Sequence, residues 1–360
     1  MTDTYLGENL IFLISQPRSG STLLQRVLSG HPEIQTSAET WLMLHPIYAL
    51  KGSGLEAEYG AKWAKEGVEE FLVHYTDGER VYDDAIRAWA QVIYGNALDR
   101  SGKKYFLDKT PRYFFIIPEL YRLFPKAKFI FLIRNPLAVL ASELSTYVKG
   151  NWPILGLFQP DLLLAPHRLL EGIELLGRDA ITVHYEKFVS TPEASISALC
   201  QYLGIAFHPE MLDYSRTPAP KGKMNDPVGV HQHVRPSTNS VDKWKQMAND
   251  AQTRHFASAY LHGLGQEVFE RLGYSFDEIS RVFPETMCNV DSGSNLFPWS
   301  IAIRPEKDWT FREWLAAERF FSMQQKGYLR AALSVTKRGV THLLQRLKHE
   351  LSRLEVPRAP

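Results

Sequence analysis

A parallel β-sheet flanked by helices is the fold class this sequence predicts, and three observations carry it. Leu10–Ile14 and Phe129–Ile133 are short, fully apolar runs, the pattern of strands buried on both faces of a parallel sheet. Each is followed by a turn and then by apolar residues at helical spacing, Leu23, Leu24, Val27 and Leu28 in the first case. Strand-like and helical segments then keep alternating, as right-handed βαβ crossovers require.

In chain order, Leu10–Ile14 leads through Ser15-Gln-Pro-Arg-Ser-Gly20 into a helix that Gly30-His-Pro32 stops. Residues 50–100 read as helical and rich in aromatics. Lys104–Leu107 is a second strand candidate, followed by Asp108-Lys-Thr-Pro111 and helical spacing at Ile116, Leu120 and Leu123. Lys128–Ile133 is the strongest strand; it ends at Arg134-Asn-Pro136 and feeds a helix over Leu137–Tyr147. Ile181–His184 is a further strand, with a helix from Pro192 to Leu203 stopped by Gly204. Pro218–Asn239, rich in Gly, Pro, His, Lys and Asn, reads as a long functional loop. A helical stretch over Val241–Leu272 and an irregular 285–308 follow. The tail, about 309–355, is helical and basic, with Lys337, Arg338, Arg346, Lys348 and Arg353 close together. The expectation is one domain over 1–285 and a mostly helical, basic extension over 286–360.

Composition narrows the function classes. The chain has 360 residues, 44% hydrophobic, with a net charge of +1, so no global field points to nucleic acid or an acidic membrane and any anion site must be local. Two cysteines, Cys200 and Cys288, make no disulfide framework. Asp3 and Glu8 stand where a signal peptide would be basic, and the apolar runs are strand-sized, far below a membrane span. A cytoplasmic location and no stable membrane insertion are the expectation.

The chemistry begins at Gln16-Pro-Arg-Ser-Gly-Ser-Thr22, where a buried strand meets a helix N-terminus. Free N–H groups and the helix dipole favour an anion there, Gly20 permits close backbone approach, Ser21 and Thr22 add hydroxyls and Arg18 adds fixed charge. The sheet is therefore expected to be P-loop-like; the plainer reading is a βα turn with a Ser/Thr cap. A nucleotide kinase acting on ATP with Mg²⁺ is the competing function. It needs G-x-x-x-x-G-K-[ST] and a strand-end Asp for the metal. Here Ser21 follows Gly20, no glycine lies five positions before it, and Phe129–Ile133 ends in Arg134. Both departures favour metal-free transfer of a group less charged than phosphoryl.

Pro17-Arg-Ser-Gly-Ser-Thr22 resembles the 5′-phosphosulfate loop of sulfotransferases that use 3′-phosphoadenosine-5′-phosphosulfate (PAPS). Its Arg form is similar to the tyrosylprotein-type and polyketide-associated branches. Arg134 with Ser142 eight residues later resembles the family's second motif, whose implied role is to hold the 3′-phosphate. The resemblance covers about residues 8–275 and implies PAPS as co-substrate with no metal required. Pro17, Arg18, Ser19, Gly20, Ser21, Thr22, Arg134 and Ser142 would hold the nucleotide.

The remaining roles are also implied by resemblance. Glu39, in Thr36-Ser-Ala-Glu-Thr40, lies twenty-one residues after Arg18 and matches the catalytic Glu of those branches; otherwise it would cap a helix near Trp41. Lys109 matches the catalytic cation, sharing charge stabilisation with Arg18; otherwise it is a solvated loop lysine. Gln232-His233 ahead of Lys243-Trp244 resembles an arrangement in polyketide-associated relatives, which makes His233, and less so His231, a candidate for proton transfer. A zinc role for His-x-His lacks a nearby Cys or third His. Tyr185, in His-Tyr-Glu-Lys, and Arg235, with Lys221 and Lys223, are nucleotide-binding candidates. The expected acceptor is a small-molecule or natural-product hydroxyl, and the basic tail is expected to be solvated or to pack in a homo-oligomer.

Overall fold

The computed structural model describes residues 4–55, 57–222, 234–283, 296–311, 313–315 and 317–318. They fall into two compact units, one within Met1–Ser142 and Asp161–Cys288, the other within Glu143–Pro160 and Asn289–Pro360.

The first unit is built on five parallel strands, β1 (Leu10–Ser15), β2 (Ile34–Thr36), β3 (Tyr105–Lys109), β4 (Lys128–Ile133) and β5 (Ala180–His184), in the order β2-β3-β1-β4-β5. β1 is central, with Phe12 opposite Asp108 on one side and Phe129 on the other. Every residue of β1 and β3 is buried, as strands covered on both faces must be. On one face Ile11, Leu13, Ile130 and Leu132 join Leu24, Val27 and Leu28 of helix α1 (Ser21–Ser29) in one core cluster. On the other, Phe12 packs edge-on to Tyr113 and against Phe124 and Phe129 at ring distances of 5.5–6.1 Å.

The further α-helices of this unit among the described residues are α2 (Leu44–Tyr48), α3 (Ala61–Tyr75), α4 (Glu79–Ser101), α5 (Ile117–Leu123), α6 (Pro136–Glu143), α7 (Ala165–Leu176), α8 (Tyr185–Ser190), α9 (Pro192–Leu203), α10 (Ala251–Leu264), α11 (Gln266–Arg271) and α12 (Phe276–Ser280). The chain leaves β1 towards β2 and later crosses from β3 to β4, so the direction of winding reverses around β1. Ligands in open α/β sheets bind outside the carboxyl ends of strands at such a point.

Several elements differ from the sequence expectation. The helix expected over Leu137–Tyr147 is α-helical to Glu143 and then a π turn, Leu144–Val148. The stretch from Val241 breaks into a 3₁₀ segment, Lys243–Asn249, then α10, capped by the Asp250 carboxylate on Thr253 N–H at 2.9 Å, then α11 after Gly265 at φ 82°. β2 and α7 add to the elements that periodicity suggested.

In the second unit, Trp152–Phe158 forms a 3₁₀ turn whose Gly156 lies against the Arg304 carbonyl, which also accepts Trp309 Nε1–H at 3.0 Å. Tyr147 and Phe158 stack at 5.2 Å, and Arg304 pairs with Glu313. The basic tail residues Lys337, Arg338, Arg346, Lys348 and Arg353 lie outside the described residues. Among the described residues no helix is long and apolar enough to cross a membrane.

Candidate active site

The chain reverses sharply between β1 and α1. Arg18 (φ 66°) and Gly20 (φ 90°) are both left-handed, and Ser19 N–H bonds the Gln16 carbonyl at 3.2 Å. Gly20 is the N-cap of α1 and no side chain among the described residues caps the helix, so its first-turn donors and positive dipole end are available to an anion. Ser19 is fully buried and its hydroxyl has no partner among the described residues. A buried orphan hydroxyl beside an uncapped helix start fits a ligand oxygen.

Tyr185, the first residue of α8, closes on this loop. A Cβ on Gly20 would fall 2.5 Å from its ring, and its hydroxyl shares a 2.7 Å hydrogen bond with Ser240 Oγ. The Arg134 guanidinium, at the end of β4, lies 4.3 Å from the ring centroid. Its Nη1 donates to the Arg18 carbonyl (2.9 Å) and Nη2 to the Ser240 carbonyl (3.1 Å), while Nε has no partner among the described residues. Burial lowers its pKa from the usual arginine value, with Tyr185 and Glu186 opposing. Ser142, on α6, accepts from Arg18 Nε at 3.2 Å. Arg18, Arg134, Ser142 and Tyr185 are therefore brought together.

A second cluster forms at Thr22. Lys109, the last residue of β3, donates through Nζ to Glu39 Oε1 at 2.9 Å and to Thr22 Oγ1 at 3.4 Å. Its side chain is 0% exposed and that of Glu39 is 21%, which overturns the solvated-loop alternative for Lys109. Glu39 does not cap a helix either: the next one, α2, starts at Leu44 with Met43 as N-cap.

The turn that carries Glu39 is tied on all sides. Gln25 of α1 donates to Thr36 Oγ1 (2.7 Å) and the Ser37 carbonyl (2.6 Å), Ala38 N–H reaches the Lys221 carbonyl at 2.9 Å, and Thr40 Oγ1 donates to Asp108 Oδ2 at 2.7 Å. Asp108 is fully buried and also accepts from Tyr94 (2.6 Å), Tyr113 (2.9 Å) and Thr110 (2.9 Å). Burial raises its pKa, and the four hydroxyl donors oppose that rise.

The Sulfotransferase family model matches residues 10–209. The chain belongs to the Sulfotransferase family. Among its relatives, Nodulation protein NoeE of Sinorhizobium fredii is 32% identical over 217 residues, covering 54% of this chain and 50% of that protein. Protein-tyrosine sulfotransferase 2 of Gallus gallus is 27% identical over 242 residues, covering 65% of this chain and 60% of that protein. The chain thus spans about half the length of the first of these curated relatives. Among solved structures, the sulfotransferase domain from the curacin biosynthetic pathway aligns with a TM-score of 0.45 and 24% identity, over 65% of this chain and 89% of that one.

Of the remaining sequence candidates, Ser21 opens α1 and is 5% exposed. Arg235 is exposed, and its carbonyl accepts from Tyr214 OH at 3.3 Å. Lys223, His231, Gln232 and His233 lie outside the described residues. The structure adds groups that carry no role in the sequence expectation: Asp108 and Ser240 as anchors, and the pair Arg112–Asp161. Asp108 sits inside a quoted motif and could have been found there; Asp161 has no local signal.

Proposed function

We propose that this chain is a PAPS-dependent sulfotransferase that moves a sulfuryl group to the hydroxyl of a small-molecule acceptor. The observation that carries the proposal is Lys109, which bridges the start of α1 at Thr22 and the Glu39 carboxylate with a side chain fully removed from water. A cation so placed stands between an anion loop and a base, where charge develops during transfer to a hydroxyl.

PAPS would supply a sulfuryl group on a phosphate leaving group. The uncapped start of α1, Ser19 and Arg18 would hold its 5′ end, and Arg134 Nε with Ser142 its 3′-phosphate; Tyr185 and Arg235 are further nucleotide-binding assignments. Lys109 and Arg18 would stabilise negative charge on the leaving side. Glu39 would accept the acceptor hydroxyl proton, with His233 assigned to the acceptor side. No step in this arrangement calls for a metal. A cytoplasmic site of action is supported by the cysteine count of two in 360 residues.

The test is thermal stability with 3′-phosphoadenosine 5′-phosphate against Mg·ATP. Stabilisation by the first alone is expected; a ligand at about 100-fold over its Kd adds roughly 2.7 kcal/mol. Stabilisation by Mg·ATP alone would refute the reading. Glu39→Gln should lower sulfate transfer by about 10²–10⁴-fold while keeping nucleotide binding. A tyrosine peptide belongs in the acceptor panel, because several relatives are named for that acceptor.

A further inference from the structure

Arg134 is buried, and two carbonyls and the Tyr185 ring hold its guanidinium. An arginine side chain carries much rotamer freedom, and few of its arrangements aim Nε at a given phosphate. The backbone from which it springs therefore has to be fixed. The next residue, Asn135, is also buried. Its carbonyl accepts from Ala138 N–H (2.9 Å) and Val139 N–H (3.1 Å), and its Oδ1 accepts from Leu137 N–H (2.9 Å). Those three bonds come from the start of α6 itself. The Asn135 N–H points elsewhere and donates to Glu186 Oε1 at 3.1 Å. One carboxylate thus holds the peptide group that joins Arg134 to Asn135.

Glu186 is also the residue after Tyr185, on whose ring the guanidinium lies. It adjoins the ring in the chain and the peptide group in space. Its other oxygen, Oε2, accepts from the Tyr274 hydroxyl at 2.8 Å. A carboxylate only accepts, and here it meets one N–H and one O–H. Burial first, and then Glu186, raise the Tyr274 pKa, with Arg134 opposing, so the phenol stays protonated and donates. Tyr274 is itself tied down. Its N–H donates to the Phe269 carbonyl of α11 at 2.9 Å, and its ring meets that of His184 at 6.1 Å. His184 Nε2–H donates to the Leu272 carbonyl at 3.0 Å. Gly273, at φ 87°, lets the turn pass there, where a Cβ would fall 3.0 Å from the same nitrogen. The ends of β4 and β5 and the turn after α11 therefore meet at one carboxylate.

We propose that Glu186, held by Tyr274, is a positioning residue that fixes Arg134 for the 3′-phosphate of the nucleotide. The role rests on Arg134 being the 3′-phosphate contact, and the experiment separates the two. Calorimetric titration of the full chain compares 3′-phosphoadenosine 5′-phosphate with adenosine 5′-phosphate, which lacks the group that Arg134 would hold. The ratio of the two affinities reads the 3′-phosphate alone, whereas a general loss of structure lowers both affinities and leaves the ratio. Arg134→Ala should lower the ratio by about 100-fold, Glu186→Ala by about tenfold and Tyr274→Phe by about threefold. Glu186→Gln keeps an oxygen for the Asn135 N–H and should hold the ratio within about twofold of the wild type. Unchanged ratios in Glu186→Ala and Tyr274→Phe, with a lowered one in Arg134→Ala, would overturn the positioning role alone. An unchanged ratio in Arg134→Ala as well would overturn the 3′-phosphate reading with it. If Glu186→Ala does not fold, Tyr274→Phe, which removes a single oxygen, decides on the same ratio.

Discussion

Gly20 is held by two constraints that act through different physics. Its φ of 90° is one that side chains rarely adopt, and the Tyr185 ring leaves no space for a Cβ at 2.5 Å. Tyr185 in turn carries Arg134 on its face, so a methyl group at position 20 displaces the ring that orients the guanidinium. Gly20→Ala should therefore weaken binding of 3′-phosphoadenosine 5′-phosphate by more than about tenfold, because a misplaced charge-assisted donor forfeits about 1.5–3 kcal/mol. Calorimetric titration checks this, with far-UV circular dichroism confirming that the sheet is intact. Unchanged affinity would mean that the loop, Tyr185 and Arg134 do not act together on the nucleotide.

At the scale of elements, β3 is the strand on which the site is assembled. It ends in Asp108 and Lys109, one a buried anchor and the other the buried cation. Asp108 receives Thr40 from the Glu39 turn, Tyr94 from α4, and Tyr113 and Thr110 from the segment after β3. Asp108→Asn would set an N–H against hydroxyl donors in a fully buried place, and should cost about 2–4 kcal/mol of stability. Urea unfolding would read this as a lower midpoint with an unchanged m-value; a midpoint equal to the wild type would show that the four hydroxyls re-pair without the carboxylate. Much of this element was legible in the sequence. Uninterrupted apolar runs marked β1 and β4, the pattern that a strand buried on both faces leaves, and shorter apolar stretches marked β3 and the partly buried edge strand β5. β2 leaves none: Ile34–Thr36 is three residues long and becomes a strand because β3 offers its edge, with Gln35 opposite Phe106. Glu39 and Lys109 were found because each lies in a motif, whereas Arg112 and Asp161, 49 residues apart, meet only through the tertiary fold. Trp41, at φ 57°, carries its information in a backbone angle, which residue type does not encode.

The molecule as a whole should lose stability on mild acidification, through His31. This ring joins the turn after α1 to the segment beyond α9: its Nε2–H donates to the Ala206 carbonyl at 3.0 Å and its Nδ1 accepts Glu33 N–H at 3.1 Å. Both bonds belong to the neutral ring, and protonating Nδ1 would set one N–H against another. Burial is the largest cause of its lowered pKa; the nearby His208 and Lys103 add to it, and the Ala206 bond and Glu33 oppose it. Between the ordinary histidine value of ~6.5 and the lower folded value, the unfolded chain binds a proton that the folded chain does not. The His31 contribution is therefore complete above about pH 6.5 and declines below it, with a slope of at most ~1.4 kcal/mol per pH unit. Asp108 and Asp161 act in the opposite sense. Burial raises both carboxyls, so protonation favours the fold as pH falls through their raised values towards ~3.9. Unfolding free energies of wild type and His31→Gln, compared at about pH 7.5 and about pH 5.5, should converge as the pH falls, because glutamine can keep the Ala206 bond and does not titrate. A gap between the two that stays constant would place the acid sensitivity elsewhere than in this ring.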